Sequence, residues 1–218
     1  VRSNNDTLYK TAFVYLGDGP VVLRSDAPSQ ERFSSFQLQD DRNANYRNII
    51  NPAGSYTLYH GEKPGNITGE AVEVPSLLSA VVTRIEVKDP NDAADMAVAQ
   101  AVFDGITIEG PTIREMPAVD LLSGFDEQVA QEANKRMDET AASVPFSETI
   151  VAPGQEPGTD VPYLYHAAGT KVGWGGPATS HSAYESMFTD ESGETLEGAK
   201  GDYVLATEAP PVNAFWSI

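Results

Sequence analysis

Polar side chains that could bind or activate a small molecule concentrate at the front of the chain. Residues 3–9 combine carboxamides, a carboxylate, hydroxyls and a phenol, and they run directly into an apolar strand. A strand fixes the direction of its side chains, so such residues can line a cleft. They can equally cap and brace a turn, because Asn, Asp and Thr bond readily to nearby backbone. Bracing is the interpretation we favour.

Two further residues extend this set into a candidate polar pocket. Asp40 follows a run that carries Gln37 and Gln39, and Arg84 lies in another strand-like run. A hydrolase or lyase would need such groups to converge on one concave site. A buried Asp–Arg pair that fixes the sheet is the alternative, and we favour it over a ligand site. The candidate pocket consists of Asn4, Asn5, Asp6, Tyr9, Asp40 and Arg84.

No other pattern assembles a catalytic or metal centre. The chain has no cysteine, which excludes disulfides and thiolate chemistry, and its three histidines lack the spacing of a zinc helix. The run from Asp190 to Glu194 lacks the full calcium-loop pattern and predicts a turn with Gly193 in the left-handed region. We therefore expect no metal ion and no cofactor, and the sequence identifies no catalytic residue.

Aromatic side chains form the second set of candidate binding residues. Tyr and Trp offer flat apolar faces with a polar edge, which suits both sugars and protein partners. The alternative for several of them is an ordinary β-sandwich core. Trp174 stands between glycines and is the one we most expect to be exposed. The candidate aromatic binding residues are Trp174, Tyr163, Tyr165 and Trp216.

Charge and length limit the class of protein. The 218 residues carry a formal net charge of −18, from 14 basic and 32 acidic side chains. Residues 1–88 hold 9 of the basic and 10 of the acidic ones, so nearly all of the excess lies in residues 89–218. An acidic surface repels nucleic acid and anionic lipid, so neither is an expected partner. No apolar run reaches the ~20 residues of a membrane span, and we expect no membrane insertion.

The elements that would position these residues are mostly strands in the first 88 residues. Short runs with β-branched, aromatic or alternating residues, closed by turn residues, predict strands. They lie at 11–16, 21–23, 33–39, 56–60 and 81–88. Strands are predicted again at 184–189, 203–207 and 212–218, where both faces of the last carry apolar groups.

Helices are predicted in the middle of the chain. Asp89 begins the first as its cap, and Gly105 ends it. A second helical region is predicted at 118–140, and a linker or surface loop rich in Pro and Gly at 151–162. The chain begins just ahead of a motif and ends inside an apolar run, so we expect a piece of a longer protein that associates through an open strand edge.

Several of these motifs resemble a family of mostly bacterial proteins. The matching motifs of its first domain are Asn4 to Tyr9, Pro20 to Leu23, Phe36 to Asp40 and Gly54 to Leu58. Pro210 to Ser217 resembles part of its second domain. The family pairs two domains of unknown function, numbered 1254 and 1214. The resemblance implies an immunoglobulin-like sandwich followed by a jelly-roll-like domain, with helices between. It also implies export, to a secreted, periplasmic or cell-surface location, and no established catalytic residue.

The expected protein is therefore mainly β. We divide it into a sandwich at 1–111 that ends in one helix and a short strand, a helical connection and linker at 112–162, and the start of an incomplete jelly-roll-like domain at 163–218. The function we favour is an exported binding or assembly module. Its expected partners are a glycan, a cell surface or other protein, and copies of itself in a homo-oligomer. The alternative is a hydrolase or lyase acting on an extracellular small molecule or glycan.

Overall fold

The described part of the chain contains eight strands and three α-helices. The computed structural model describes residues 5–26, 32–110, 124–185 and 187–217. The strands are β1 (Thr7–Tyr15), β2 (Val21–Ser25), β3 (Ser34–Gln39), β4 (Asn45–Ile50), β5 (Gly54–Tyr59), β6 (Glu70–Glu73), β7 (Leu78–Glu86) and β8 (Ile106–Glu109). The helices are α1 (Ala93–Asp104), α2 (Glu127–Ser143) and α3 (Tyr163–Val172), with a short 3-10 turn at Phe146–Thr149.

The strands form two four-stranded sheets that pack face to face. Sheet A has the order β1-β7-β3-β4, and sheet B has the order β6-β5-β2-β8. Phe36 and Ile85 of sheet A are fully buried against Leu23 and Leu58 of sheet B. The ring of Phe36 meets that of Tyr56 edge to face across the interface, with centroids 5.9 Å apart. The predicted mainly β class and sandwich are therefore confirmed.

Helix α1 follows the last strand of sheet A and begins one turn later than predicted. The side chain of Asp92, not Asp89, caps it by accepting a hydrogen bond from the Ala94 amide at 2.9 Å. Asp89 instead accepts from the amide of Asn91, which orders the preceding turn. The helix ends at Gly105, as predicted. Each cap satisfies backbone amides that the first turn of a helix leaves without partners.

Lys10 joins the two sheets on the side that α1 covers. Its ammonium group donates to the carbonyl oxygens of Phe103 at 2.9 Å and Ile106 at 2.8 Å, and lies 4.2 Å from the centre of the Phe103 ring. A cation near the last carbonyls of a helix also opposes the negative end of its dipole. One edge of the sandwich is thereby closed.

A second, smaller core lies beside the sandwich. Val151 and Val161, from the predicted linker, are buried with Ala44 and pack against Tyr165 of α3. This segment is therefore a surface loop with buried anchors rather than an open linker. Helix α2 begins at Glu127, and residues 118–123 of the predicted helical region lie outside the described residues. No helix in the described ranges is long and apolar enough to cross a bilayer.

The predicted strands in the last part of the chain are wrong. Residues 163–172 form α3, and within the described residues 173–185 and 187–217 the pairing is limited to one isolated bridge between Thr189 and Thr195. Alternating apolar residues make a strand only where a neighbouring strand pairs with them, and Val204 is 94% exposed. The jelly-roll-like domain and the domain boundaries stay predictions.

Candidate functional site

The outward side chains of sheet A form three rows that cross its strands. Antiparallel register places residues on neighbouring strands directly opposite each other, with their side chains on the same face. The rows run Tyr9–Arg84–Ser35, Thr11–Val82–Gln37–Asn48 and Phe13–Ala80–Gln39–Asn45. Aromatic residues therefore stand on the β1 side of this face, and carboxamides stand on the β3 and β4 side.

Aromatic rings are exposed along the edge strand β1. Tyr9, Phe13 and Tyr15 share its outer face, and the ring of Trp174 lies beside that of Phe13 with centroids 6.3 Å apart. We call these four residues the aromatic row. Their side chains are between 45% and 61% exposed. Since clustered exposed rings are unfavourable in water, they indicate a surface that contacts something else.

Arg84 links the aromatic row to the centre of the sheet. Its guanidinium lies 5.4 Å from the centre of the Tyr9 ring, which is a cation–π distance. It also donates a hydrogen bond to the side-chain oxygen of Gln37, whose Nε2 donates to the carbonyl oxygen of Gly175 at 2.8 Å. Two residues of the predicted pocket, Tyr9 and Arg84, are therefore in contact.

Four carboxamides meet on the β3–β4 side of the face. Gln37 lies opposite Asn48, and Gln39 lies opposite Asn45; we call these four residues the amide cluster. A β-bulge brings Asn45 there, because the register shifts after Leu38 and leaves Tyr46 without a strand partner. Without that extra residue, the alternation along β4 would place Asn45 on the other face.

Most of the amide cluster lacks hydrogen-bond partners. Gln39 is 1% exposed and Asn45 is 2% exposed, and within the described part of the chain no group pairs with any of their four side-chain polar atoms. The same holds for the amide nitrogen of Asn48. A buried polar group left without a partner costs about 1–3 kcal/mol.

A glycine-rich stretch, Gly173–Pro177, lies over the amide cluster; we call it the glycine segment. Gly175 has a φ of +82°, a backbone conformation that favours glycine. A Cβ at this position would lie 3.6 Å from Nε2 of Gln39, so the backbone itself rests on that amide. Trp174 and Gly175 thus cross the sheet from Phe13 to Gln39 above the small side chain of Ala80.

Asp40 lies apart from this face and belongs to the turn between β3 and β4. Its carboxylate accepts from the Arg42 side chain at 3.0 and 3.1 Å and from the amides of Arg42 and Ala44. This hydrogen bond raises the pKa of the Arg42 guanidinium. Since Arg84 is opposite Ser35, five residues before Asp40, the two lie ~16 Å apart along the strand. The predicted Asp–Arg pair exists, but its partner is Arg42.

The remaining residues of the predicted pocket lie just ahead of β1 in the sequence. Asn5 is exposed, and the carbonyl oxygen of Asp6 accepts a hydrogen bond from the Val87 amide at 2.7 Å, which starts β1 on its neighbour. Asn4 lies outside the described residues. The structure thus brings Tyr9 and Arg84 together and places Asp40 in a different turn, and the pocket as a whole stays a prediction.

The predicted aromatic binding residues are also dispersed. Tyr163 is exposed beside an open apolar groove of ≈ 590 Å³ that Arg42, His166 and Lys171 also line. Tyr165 packs in the small core, and Trp216 is half-exposed near the carboxyl terminus. Trp174 reaches sheet A through the ring of Phe13. Sequence reasoning missed Phe13 and Tyr15, although their positions at i+4 and i+6 from Tyr9 placed all three on one strand face.

His166 and the acidic turn both make contacts that order the backbone. Nε2 of His166 donates to the carbonyl oxygen of Arg42 at 2.8 Å, which ties α3 to the β3–β4 turn. Asp190 accepts from the side chain and amide of Ser192 and from the amide of Glu194, which lowers its pKa and confirms the predicted turn. Among the described residues no three His, Asp or Glu side chains are placed to hold a metal ion.

Comparison with known proteins adds a family and a fold. Residues 1–110 match the model of a family described as "Protein of unknown function (DUF1254)". The crystal structure of the VPA0106 protein from Vibrio parahaemolyticus is similar over 91% of this chain, with 16% identity and a TM-score of 0.69. The chain spans 64% of the length of that protein. No curated protein matches the chain. At this identity the likeness shows the fold alone.

Proposed function

This chain belongs to the DUF1254 family of proteins of unknown function, and from that premise we propose that it is a binding module whose sheet A contacts a glycan. The observation that carries the proposal is the aromatic row, in which four rings are about half exposed on and beside one strand. A strand holds such rings in fixed directions, so the surface needs little ordering when a ligand binds.

The chemistry of the face favours a sugar over a purely apolar partner. The C–H faces of a sugar ring are apolar and can stack on the rings of Tyr9 and Phe13, whereas its hydroxyls need donors and acceptors. Arg84, beside Tyr9, supplies donors. Most of the carboxamides on β3 and β4 are buried, so they supply both kinds of group only to a ligand that reaches beneath the glycine segment. An aromatic platform beside convergent polar groups is the usual composition of a ligand site.

Phe13→Ala tests this proposal, with Phe188→Ala as its matched control. Phe188 is 74% exposed on the carboxy-terminal segment, so both changes remove an exposed phenyl ring. We expect a glycan array to identify a ligand for the natural chain, and calorimetry to show at least a tenfold loss of affinity for Phe13→Ala alone. The proposal is contradicted if the protein binds no glycan on the array, or if the two variants bind the glycan with equal affinity.

Export and self-association belong to the same proposal. The resemblance to exported proteins is what supports export. The exposed apolar surface of β1 at the edge of sheet A supports self-association. Light scattering measures the mass of the purified chain and of the variant Tyr15→Ser, which removes an exposed ring from the edge strand, and so tests self-association directly. A monomer at all concentrations would count against assembly but not against glycan binding.

The hydrolase or lyase alternative has lost its proposed residues. It required Asp40 and Arg84 in one pocket, and the structure places them in separate hydrogen-bonded pairs. Arg84 remains beside Tyr9, where it can hold a ligand.

A further inference from the structure

We propose that the amide cluster is a buried subsite for one uncharged sugar residue, and that the glycine segment lifts to admit it. The inference rests on the proposed function, because it places one sugar of the same bound glycan. What it adds is the location of the subsite, the chemistry of the sugar and the part of the chain that moves.

The hydrogen-bonding capacity of the cluster matches an uncharged polyhydroxylated ligand. Each carboxamide has two donor hydrogens and an acceptor oxygen and carries no charge, and a sugar hydroxyl likewise donates and accepts. Gln39 and Asn45 offer both kinds of group from opposite strands, and neither side chain has a partner among the residues described. The four members of the cluster carry no charge, so they offer nothing that would neutralise a charged sugar.

The subsite lies within reach of the aromatic row. Phe13, Ala80 and Gln39 occupy one row across three adjacent strands, so Phe13 and Gln39 are separated by ~10 Å, or two strand spacings. Ala80 between them has a side chain too short to block the face. A glycan stacked on Phe13 can therefore extend across Ala80 and present its next sugar to Gln39 and Asn45.

The contacts of the glycine segment allow it to act as the cover. Over the described residues, the hydrogen bond from Gln37 to the Gly175 carbonyl and the ring contact of Trp174 with Phe13 join it to sheet A. Gly175 also rests on the Gln39 amide, and Gly173 and Gly176 lie against Phe146 outside the sheet. Gly173, Gly175 and Gly176 bring no side chains to pack against the sheet. Lifting the segment would free the Phe13 face and the Gln39 amide together, and a ligand hydroxyl would replace the Gly175 carbonyl as acceptor for Gln37.

Ordered water is the competing explanation for the buried amides. One or more waters could satisfy Gln39 and Asn45 permanently, as happens at many buried polar groups. A purely structural role would then leave these side chains unaffected by any sugar. The test must therefore observe the amides themselves as well as the affinity.

Solution NMR of the ¹⁵N-labelled full chain resolves this question. The side-chain NH₂ signals of Gln39 and Asn45 are assigned by their loss in Gln39→Met and Asn45→Ala. The chain is then titrated with maltotriose, cellotriose, triacetylchitotriose and the glycans retained on the array. In Trp216→Phe, fluorescence reports on Trp174 alone, because the chain has two tryptophans. Gln128→Met, an exposed amide on α2, is the matched control.

We expect both side-chain signals to shift with the same dissociation constant as calorimetry and Trp174 fluorescence to change in parallel. Gln39→Met should weaken binding at least tenfold, and Gln128→Met should not. A different result would refute the subsite and leave the proposed function standing. In that result, binding depends on Phe13, the chemical shifts of the Gln39 and Asn45 side chains do not change, and Gln39→Met binds with normal affinity. If no sugar or array glycan binds, the proposed function fails, and the subsite fails with it.

Discussion

Replacement of Gln39 by Met should make the protein more stable. Gln39 is 1% exposed, and both polar atoms of its carboxamide lack partners in the described ranges. Met has nearly the same length and volume but no group that needs a hydrogen bond. Removal of an unsatisfied buried group recovers part of its desolvation cost, so we expect a gain of about 1–2 kcal/mol in the free energy of unfolding. For a chain of this size that gain raises the melting temperature by about 2–8 °C.

Gln37→Met is the matched control for this prediction. Gln37 lies two residues earlier on β3, is equally buried and faces the same way, but it accepts from Arg84 and donates to the Gly175 carbonyl. Its loss leaves both partners unsatisfied and should cost about 1–3 kcal/mol. Scanning calorimetry of the two variants beside the natural chain measures the difference. A fall in melting temperature for Gln39→Met, comparable with that of Gln37→Met, would show that Gln39 is satisfied in the folded protein and would refute the reasoning.

Three further changes test the fold of the sandwich. The Arg32 guanidinium holds the pKa of the Asp95 carboxyl well below its usual range, so this carboxylate stabilises the protein above pH ~4 and the stabilisation is lost on acidification. The variant Asp95→Asn should have a lower melting temperature at pH 7, and its melting temperature should depend less on pH between about pH 5 and pH 2. Parallel curves of melting temperature against pH for the variant and the natural chain would contradict the pairing. Phe36→Ala should cost about 3–5 kcal/mol in urea unfolding, because Phe36 is fully buried between the sheets, and Phe188→Ala should cost almost nothing. Gly69→Ala should lower the free energy of unfolding by about 1–3 kcal/mol or more, since Gly69 has a φ of +74° and a Cβ there would overlap a carbonyl oxygen of β5. An unchanged melting temperature would contradict this packing of Gly69 against β5.

The sandwich was predictable where the pattern of side chains was strong. In β7 the alternation of Val81, Thr83 and Ile85 with polar residues placed one face in the core, and the structure buries that face. β4 was missed because its sequence, Asn-Tyr-Arg-Asn-Ile-Ile, has a bulge that breaks the alternation. A local pattern cannot show which distant strand pairs with this segment or in which register.

The candidate site was only partly predictable for the same reason. Tyr9 and Arg84 could be named from their chemistry, but their contact depends on the pairing of β1 with β7, 75 residues later. Gln37 and Gln39 were visible as the polar alternates of Phe36 and Leu38. Their burial on the outer face depends on the glycine segment, which lies 138 residues beyond Gln37 and carries no pattern that predicts where it packs.

A crystal structure of the chain soaked with the glycan that binds it most tightly tests the central claim most directly, because it shows where the sugar rests. We predict one sugar ring stacked on Phe13 and the next in hydrogen-bond distance of Gln39 and Asn45, with Gly175 displaced from Gln37. Sugar density away from sheet A, for instance in the groove beside Tyr163 and His166, would contradict the assignment of the binding face.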